Sequence, residues 1–383
     1  MRLAPMILCL SMIACCWEAA LGSKFLSCHA ADANVSWLAD VQRPPEQPSS
    51  FEVGTLRPLL VTDGGNVVSD LAGWQRRREV LRGAWLSFLG PMPAAPANNT
   101  IEVLKSEVLK SEVVKGESHP EVTRQLIRYE CEAGLFVEAY LLRPDSTKFP
   151  GARPGIVALH STTNKTIDEI AGVDGRESRH LGMGLARRGF IVICPRCFLW
   201  QNAETLPKAV EQFRERHPRT LGMHKMLYDA MRATDILAAQ PGVDTKRLGA
   251  VGHSLGAKEV LYHAAFDERI KAAVASEGGL ALRSTNWDAP WYLGPQCREA
   301  NFERNHHELL ALTAPRAILF LGGETGPGAA DGDRSWPLIE AALPVYRLHH
   351  ERPRIGLLNH HEGHSIPDDA GAKLVEWLET YLR

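Results

Sequence analysis

Ser254 lies in Gly252-His253-Ser254-Leu255-Gly256, a G-x-S-x-G spacing set between an apolar run, RLGAVGHS, and a helical pattern from Ala257 to Phe266. A serine on so tight a strand-to-helix turn is held out from the chain, and flanking glycines remove side chains that would collide there. Its hydroxyl is a poor nucleophile until a base takes the proton. The segment that follows the last apolar run, Asn359-His360-His361-Glu362-Gly363-His364-Ser365-Ile366-Pro367, offers three imidazoles. We expect His364 as the base, because a glycine precedes it and Ser-Ile-Pro follows. His360 and His361 lie nearer the strand end and read as supporting residues.

A carboxylate must fix the imidazole tautomer and stabilise its charged form. Glu277 and Glu324 each stand just beyond an apolar run, in VASEGG and LFLGGE, and they are weighted equally. Asp331 and Asp333 in the second of these loops are further candidates, although Asp333 also suits a helix cap before Ser335-Trp336-Pro337. The charge that develops on an attacked carbonyl needs fixed donors. By position these are the backbone N–H of Leu255 and one from Ser161-Thr162-Thr163, with Thr162 central.

The elements that must position these groups alternate from Gly155 onward. Apolar runs at GIVALH, FIVICP, RLGAVGHS, IKAAVASE, RAILFLGG and RIGLLNH read as buried strands. Helical patterns intervene at 178–189, Leu221 to Gln240, Ala257 to Phe266, around His307 to Leu312, and Trp336 to Leu348, with a last one at Asp369 to Leu382. That alternation predicts a mostly parallel central sheet with helices on both faces. Before it, RQLIRYEC and LFVEAYLLRP flank Ala133-Gly134 as a hairpin, and IEVLKSEVLKSEVVKGE reads as a strand pair or one long edge strand. Residues 73–89 carry Trp74, Leu81, Trp85 and Phe88 at helical spacing, and their three adjacent arginines read as a solvated face. Residues 23–60, rich in Pro, Ser and Ala, read as an exposed arm.

The start of the chain has Arg2, an apolar stretch from Pro5 to Trp17, and Ala20-Leu21-Gly22 before Ser23, the pattern of a secretory signal. Attachment of lipid at Cys15, after Met12-Ile13-Ala14, is the other reading, so the expected location is secreted or periplasmic. We divide the chain into a signal at 1–22, an N-terminal arm and helix at 23–100 and a catalytic domain at 101–383. A net charge of −2 gives no reason to expect nucleic acid as a partner, and no later stretch suits an integral membrane span. Beyond the signal, Cys28, Cys131, Cys194, Cys197 and Cys297 are odd in number and irregularly spaced, which does not suit a disulfide framework. Cys194-Pro-Arg-Cys197 has no second pair at zinc spacing, and neither a metal nor an organic cofactor is expected.

GIVALHSTT, GHSLGAKE, AAFDERIKAAVASEGG, APRAILFLGG and GHSIP together resemble the dienelactone-hydrolase and acetylxylan-esterase-like branch of the α/β-hydrolases, with segments similar to the glucuronoyl esterases. The resemblance covers residues 120 to 383 and implies the α/β-hydrolase fold and cleavage of carboxylic esters through an acyl-enzyme. It marks Lys258, four residues after the nucleophile, as a contact to sugar hydroxyls. The glucuronoyl esterases carry Gly-Cys-Ser-Arg at the nucleophile; here the turn reads Gly-His-Ser-Leu, without that arginine. Trp287 and Trp291, with Tyr292, follow the strand bearing Glu277, where a cap would cover the site; their faces suit sugar rings, and a packed cap with no ligand contact is the equal alternative. The expected partner is a small-molecule or polysaccharide ester, acetyl or glucuronoyl. A peptidase of the same fold and an inactive binding protein on the same scaffold are the alternatives.

Overall fold

A computed structural model of the chain describes residues 34–383, apart from 48, 115, 116 and 202. The expected signal, Cys15 and Cys28 lie outside the described residues. Helix α1 (Leu71–Leu89) opens on the Asp70 carboxylate, which accepts the Gly73 N–H at 2.6 Å, and stops at Gly90 in a left-handed conformation. The edge strand β1 (Glu102–Leu109) and a separate small pair, β2 (Glu112–Val114) with β3 (Glu117–His119), divide the repetitive segment between them. The hairpin β4 (Val122–Glu132) and β5 (Leu135–Pro144) then leads into the alternating region. That region runs β6 (Arg153–Leu159), α2 (Ile167–Ile170), α3 (Leu181–Arg187), β7 (Ile191–Pro195), α4 (Leu206–Arg216), α5 (Gly222–Ala238), β8 (Val243–His253) and α6 (Leu255–Phe266). It closes with β9 (Ile270–Ser276), α7 (His307–Thr313), β10 (Ala317–Gly322), α8 (Trp336–Arg347), β11 (Ile355–Asn359) and α9 (Asp368–Leu382).

Nine strands form one sheet in the order β1-β4-β5-β7-β6-β8-β9-β10-β11. Pairing is antiparallel from β1 to β7 and parallel from there to β11. Alternate residues of each buried strand enter opposite cores. Val157 and Leu159 of β6, with Ile318 and Phe320 of β10, meet α1, α5, α6, α7 and α8. Ile156 and Ala158, with Leu319 and Leu321, meet α3 and α9 on the other face. Burial on both faces is why these strands read as continuous apolar runs. All the loops after β6, β8, β9, β10 and β11 leave from the carboxyl edge of the parallel part, and the candidate residues are on them or, for Leu255 and Lys258, at the start of α6.

The structure corrects two expectations. Residues 34–60 are not an exposed arm throughout: Val35, Leu38, Val41 and Leu59 are buried. The Gln42 amide donates to Ile355 O at 2.9 Å, closing part of the open edge of β11, and Val41 packs where Gly356 leaves room. Nor do all three adjacent arginines of α1 form a solvated face: Arg76 is exposed, but the other two are not. Arg77 and Arg78 are buried; Arg77 pairs with Asp63 at 2.8 Å, and Arg78 pairs with Glu268 at 2.7 Å and donates to Leu312 O at 3.3 Å. Nearby, Trp85 is fully buried and donates to Glu308 at 2.6 Å. Its burial contributes on the order of 4 kcal/mol to docking α1.

Candidate active site

The turn from β8 into α6 is as tight as its two glycines suggest. Ser254 has φ 60°, in the left-handed region that a non-glycine residue rarely adopts. Its N–H donates to Ser276 O at 2.8 Å, which ties the turn to the end of β9. A Cβ on Gly256 would lie 2.0 Å from Leu159 O, so only glycine lets α6 start directly against the end of β6. That contact brings the first turn of α6, beginning at Leu255, beside the loop holding Ser161 and Thr162.

The end of β9 repeats this geometry. Glu277 has φ 56°, and its N–H donates to Leu321 O at 2.8 Å, turning the side chain under the loops that follow β10 and β11. Two backbones held in the left-handed region at adjacent strand ends are a concentration of strain of the kind found where geometry serves chemistry. The Glu277 carboxylate is fully buried. Oε1 accepts the Gly323 N–H and faces His360 Nε2 at 3.3 Å; Oε2 accepts the Ala330 N–H at 2.9 Å and faces His364 Nδ1 at 3.7 Å. Burial alone would push its pKa up. The two imidazoles and the two amides outweigh burial and hold the carboxyl below its ordinary range, so it is ionised at neutral pH. Gly323 has no room for a side chain here: a Cβ would lie 1.9 Å from Glu362 O and 2.8 Å from Glu277 Oε1.

Glu324 is turned elsewhere. Its Oε2 accepts the Asp333 N–H at 2.6 Å and the Asn359 amide at 3.2 Å, and Arg334 stands 3.6 Å from Oε1. Asp331 is buried and accepts Gly279 N–H, Leu280 N–H and the Ser335 hydroxyl at 2.6–2.8 Å, which fastens the loop after β10 to the loop after β9. Burial first, and then the charge of Glu277, push its carboxyl up. Asp333 accepts from Asn359 at 2.9 Å. Of the four carboxylates weighed from sequence, Glu277 is the one brought to His364.

Ser254, His364, Glu277, Thr162 and Lys258 line one cavity of about 290 Å³, together with Tyr292, Ser284 to Asn286 and Gly328 to Ala330. The His253 ring lies 4.7 Å from that of His364, centroid to centroid, and its Nδ1 meets Ser276 Oγ at 3.0 Å. Burial first, then the neighbouring Arg179 and His364, keep His253 neutral. Arg179, on the loop between β6 and α3, donates to Ser161 Oγ at 3.1 Å and to His364 O at 3.2 Å, so one guanidinium joins the loop of Thr162 to that of His364. Sequence reasoning missed Arg179, which lies in a segment read only as helix. A larger cavity of about 660 Å³, walled by Leu86, Met92, Tyr228 and Met231, shares no residue with this one.

Lys258 is 4% exposed, and its ammonium donates to Gly278 O at 2.5 Å and Thr285 Oγ1 at 3.0 Å. It lies 4.0 Å from the centre of the Trp287 ring and 5.3 Å from that of Tyr292. Burial lowers its pKa to about 7, with Asp331 opposing the shift. Trp287 is therefore a support and not a wall for ligand: it is fully buried, donates to Gly279 O at 2.6 Å and backs the lysine. Trp291 is half-buried beside Gly222 and does not line the cavity. Among the described residues no group of three or more His, Cys, Asp or Glu could hold a metal ion, and no helix is long and apolar enough to cross a membrane. The described cysteines, Cys131, Cys194, Cys197 and Cys297, are buried and free.

A strained serine turn between β8 and α6, with a histidine after the last strand of a mixed sheet, is the arrangement of the α/β-hydrolase fold, and the chain adopts that fold. Residues 137–312 match the sequence profile of the dienelactone hydrolase family. Among solved structures, the chain is similar to a glucuronoyl esterase from Solibacter usitatus, with a TM-score of 0.69 and 17% identity, over 88% of this chain and 99% of that one. A glucuronoyl esterase of carbohydrate esterase family 15 from Teredinibacter turnerae gives a TM-score of 0.60 at 19% identity, over 85% and 88%. One from Caldicellulosiruptor kristjansonii gives 0.62 at 18% identity, over 87% and 92%. No curated protein matches the sequence.

Proposed function

We propose that the chain is a serine esterase that cleaves carboxylic esters on carbohydrate, with Ser254 as nucleophile, His364 as general base and Glu277 as the carboxylate that orients it. The observation that carries this reading is the single cavity lined by Ser254 and His364, with the buried, ionised Glu277 behind the histidine. Ser254 Oγ attacks the ester carbon while His364 takes its proton. The Leu255 N–H, at the start of α6, and the loop at Thr162 receive the oxyanion. His364 then protonates the departing alcohol, and water repeats the sequence to release the acid. Glu277 holds the imidazole in one tautomer and stabilises the imidazolium as it forms.

The cavity's polar rim of Ser284, Thr285 and Asn286, with Lys258 at its base, suits a hydroxylated substrate, and the neighbouring structures are described as glucuronoyl esterases. Glucuronoyl and acetyl esters of polysaccharide are the substrates this favours. We assign residues 1–22 to export, 23–100 to an N-terminal arm and helix, and 101–383 to the catalytic domain.

The test is turnover of p-nitrophenyl acetate and of a benzyl ester of glucuronic acid by wild type and Ser254→Ala. The reading predicts turnover by wild type, faster on the glucuronoyl ester, and its loss in the variant. An unchanged rate in Ser254→Ala overturns it, and labelling of Ser254 by a fluorophosphonate without ester turnover points to another acyl substrate.

A further inference from the structure

Glu277 faces two imidazoles, and the triad uses only one. Each carboxylate oxygen has one backbone amide and one ring nitrogen: Gly323 N–H and His360 Nε2 on Oε1, Ala330 N–H and His364 Nδ1 on Oε2. The His360 ring is buried, at 2% side-chain exposure, and is absent from the cavity lining. Its tautomer follows from its other contact. The Glu362 N–H donates to His360 Nδ1 at 3.2 Å, so Nδ1 is an acceptor and the neutral ring carries its proton on Nε2. Glu277 Oε1, 3.3 Å away, is the acceptor that nitrogen faces, and among the described residues no other acceptor meets it. The backbone is fixed as well, because the His360 N–H donates to Gly322 O at 2.9 Å.

We infer that His360 is a positioning residue for the reaction: its Nε2–H fixes the Glu277 carboxylate plane so that the opposite oxygen is presented to His364. The inference rests on the reading of Glu277 as the triad carboxylate. A buried carboxylate with one donor fewer can rotate about its terminal bond or take up a proton. Either change loosens the orientation of His364, although His360 touches neither substrate nor serine. The other charged groups near this carboxylate are Asp331, on the loop after β10, and Arg179, on the loop after β6. Neither donates to it, so neither replaces the imidazole.

The experiment compares His360→Gln, which keeps an N–H donor at similar reach, with His360→Phe, which keeps a ring and removes the donor. Steady-state turnover of the glucuronoyl ester and thermal unfolding are measured for each. His360→Phe should lose about 10–100-fold in kcat, the scale of one hydrogen bond to a charged acceptor, with KM unchanged. His360→Gln should stay within roughly threefold of wild type. Equal kcat losses in both variants, or wild-type kcat in His360→Phe, overturn the inference and leave the ring a packing role. In parallel, ¹⁵N NMR of the histidine rings should show His360 as the Nε2–H tautomer, with its resonance displaced in Glu277→Gln; an Nδ1–H tautomer also overturns it. That measurement needs no turnover. If wild type neither hydrolyses esters nor takes a fluorophosphonate, the esterase reading fails, while the tautomer still decides the contact between His360 and Glu277.

Discussion

Glu277→Gln and Glu324→Gln separate two carboxylates that stand in equivalent places in the sequence and in different places in the fold. When His364 becomes an imidazolium, the Glu277 carboxylate 3.7 Å from its Nδ1 stabilises it. At an effective dielectric of about 20, that attraction is about 4.5 kcal/mol. Removing the charge therefore raises the barrier enough to slow acylation roughly a thousandfold. The amide also introduces a fault: its NH₂ must point at one of the two oxygen positions, each of which already faces a backbone N–H and an imidazole. Glu324→Gln breaks only contacts with Asp333, Asn359 and Arg334, so its kcat should stay within about threefold of wild type, with a stability loss of about 1 kcal/mol. Both variants are assayed for kcat and KM on one ester at fixed pH, with unfolding curves to show that each is folded. A thousandfold loss in Glu324→Gln, with activity kept in Glu277→Gln, would refute the reasoning.

Lys258→Met should stabilise the protein most below pH 7. Wild-type Lys258 titrates near 7 when folded and near 10.5 when unfolded, so between these values the unfolded chain binds the extra proton and wild-type stability rises with pH. The advantage of the methionine variant should shrink by about 2 kcal/mol between pH 7 and pH 9 in denaturant titrations; an advantage independent of pH would show that the lysine is charged throughout. Gly256→Ala should lower Tm by several degrees and kcat by at least about tenfold, since its Cβ would meet Leu159 O at 2.0 Å. Gly184→Ala, an exposed helical position with nothing within 4 Å of its Cβ, should instead be neutral or stabilise by about 0.5 kcal/mol; equal effects in the two would show that the tight approach does not matter.

Much of this architecture was legible because buried parallel strands leave apolar runs and the strained serine turn leaves glycines. GIVALH and RAILFLGG announced β6 and β10, and Gly252 and Gly256 announced the strained serine. Helix α4 was missed although its start was written in Thr205, whose hydroxyl accepts the Lys208 N–H at 3.3 Å, and in Pro207 in the first turn. The four residues of α2 are too few for a period to show. Burial of the arm at Val35, Leu38 and Val41 was hidden because their spacing of three spans only two turns before the prolines, too short for a helical period to stand out. At the site, the choice between Glu277 and Glu324 depended on a backbone angle, φ 56° at Glu277, that composition does not reveal. Trp287 stood open between sugar platform and packed cap because an aromatic side chain looks the same in sequence whether it faces a ligand or a buried lysine. Arg179 reaches His364 across 185 positions of chain, a contact that only the fold creates.

The central claim is that Ser254 carries the acyl group. Its most direct test is rapid quenching of wild type with p-nitrophenyl acetate in acid, followed by intact mass and peptide mapping. The account predicts one acetyl group, on the peptide containing Ser254, which is absent in Ser254→Ala. Acetyl found on another residue, or turnover with no acylated enzyme trapped at any quench time, would contradict it.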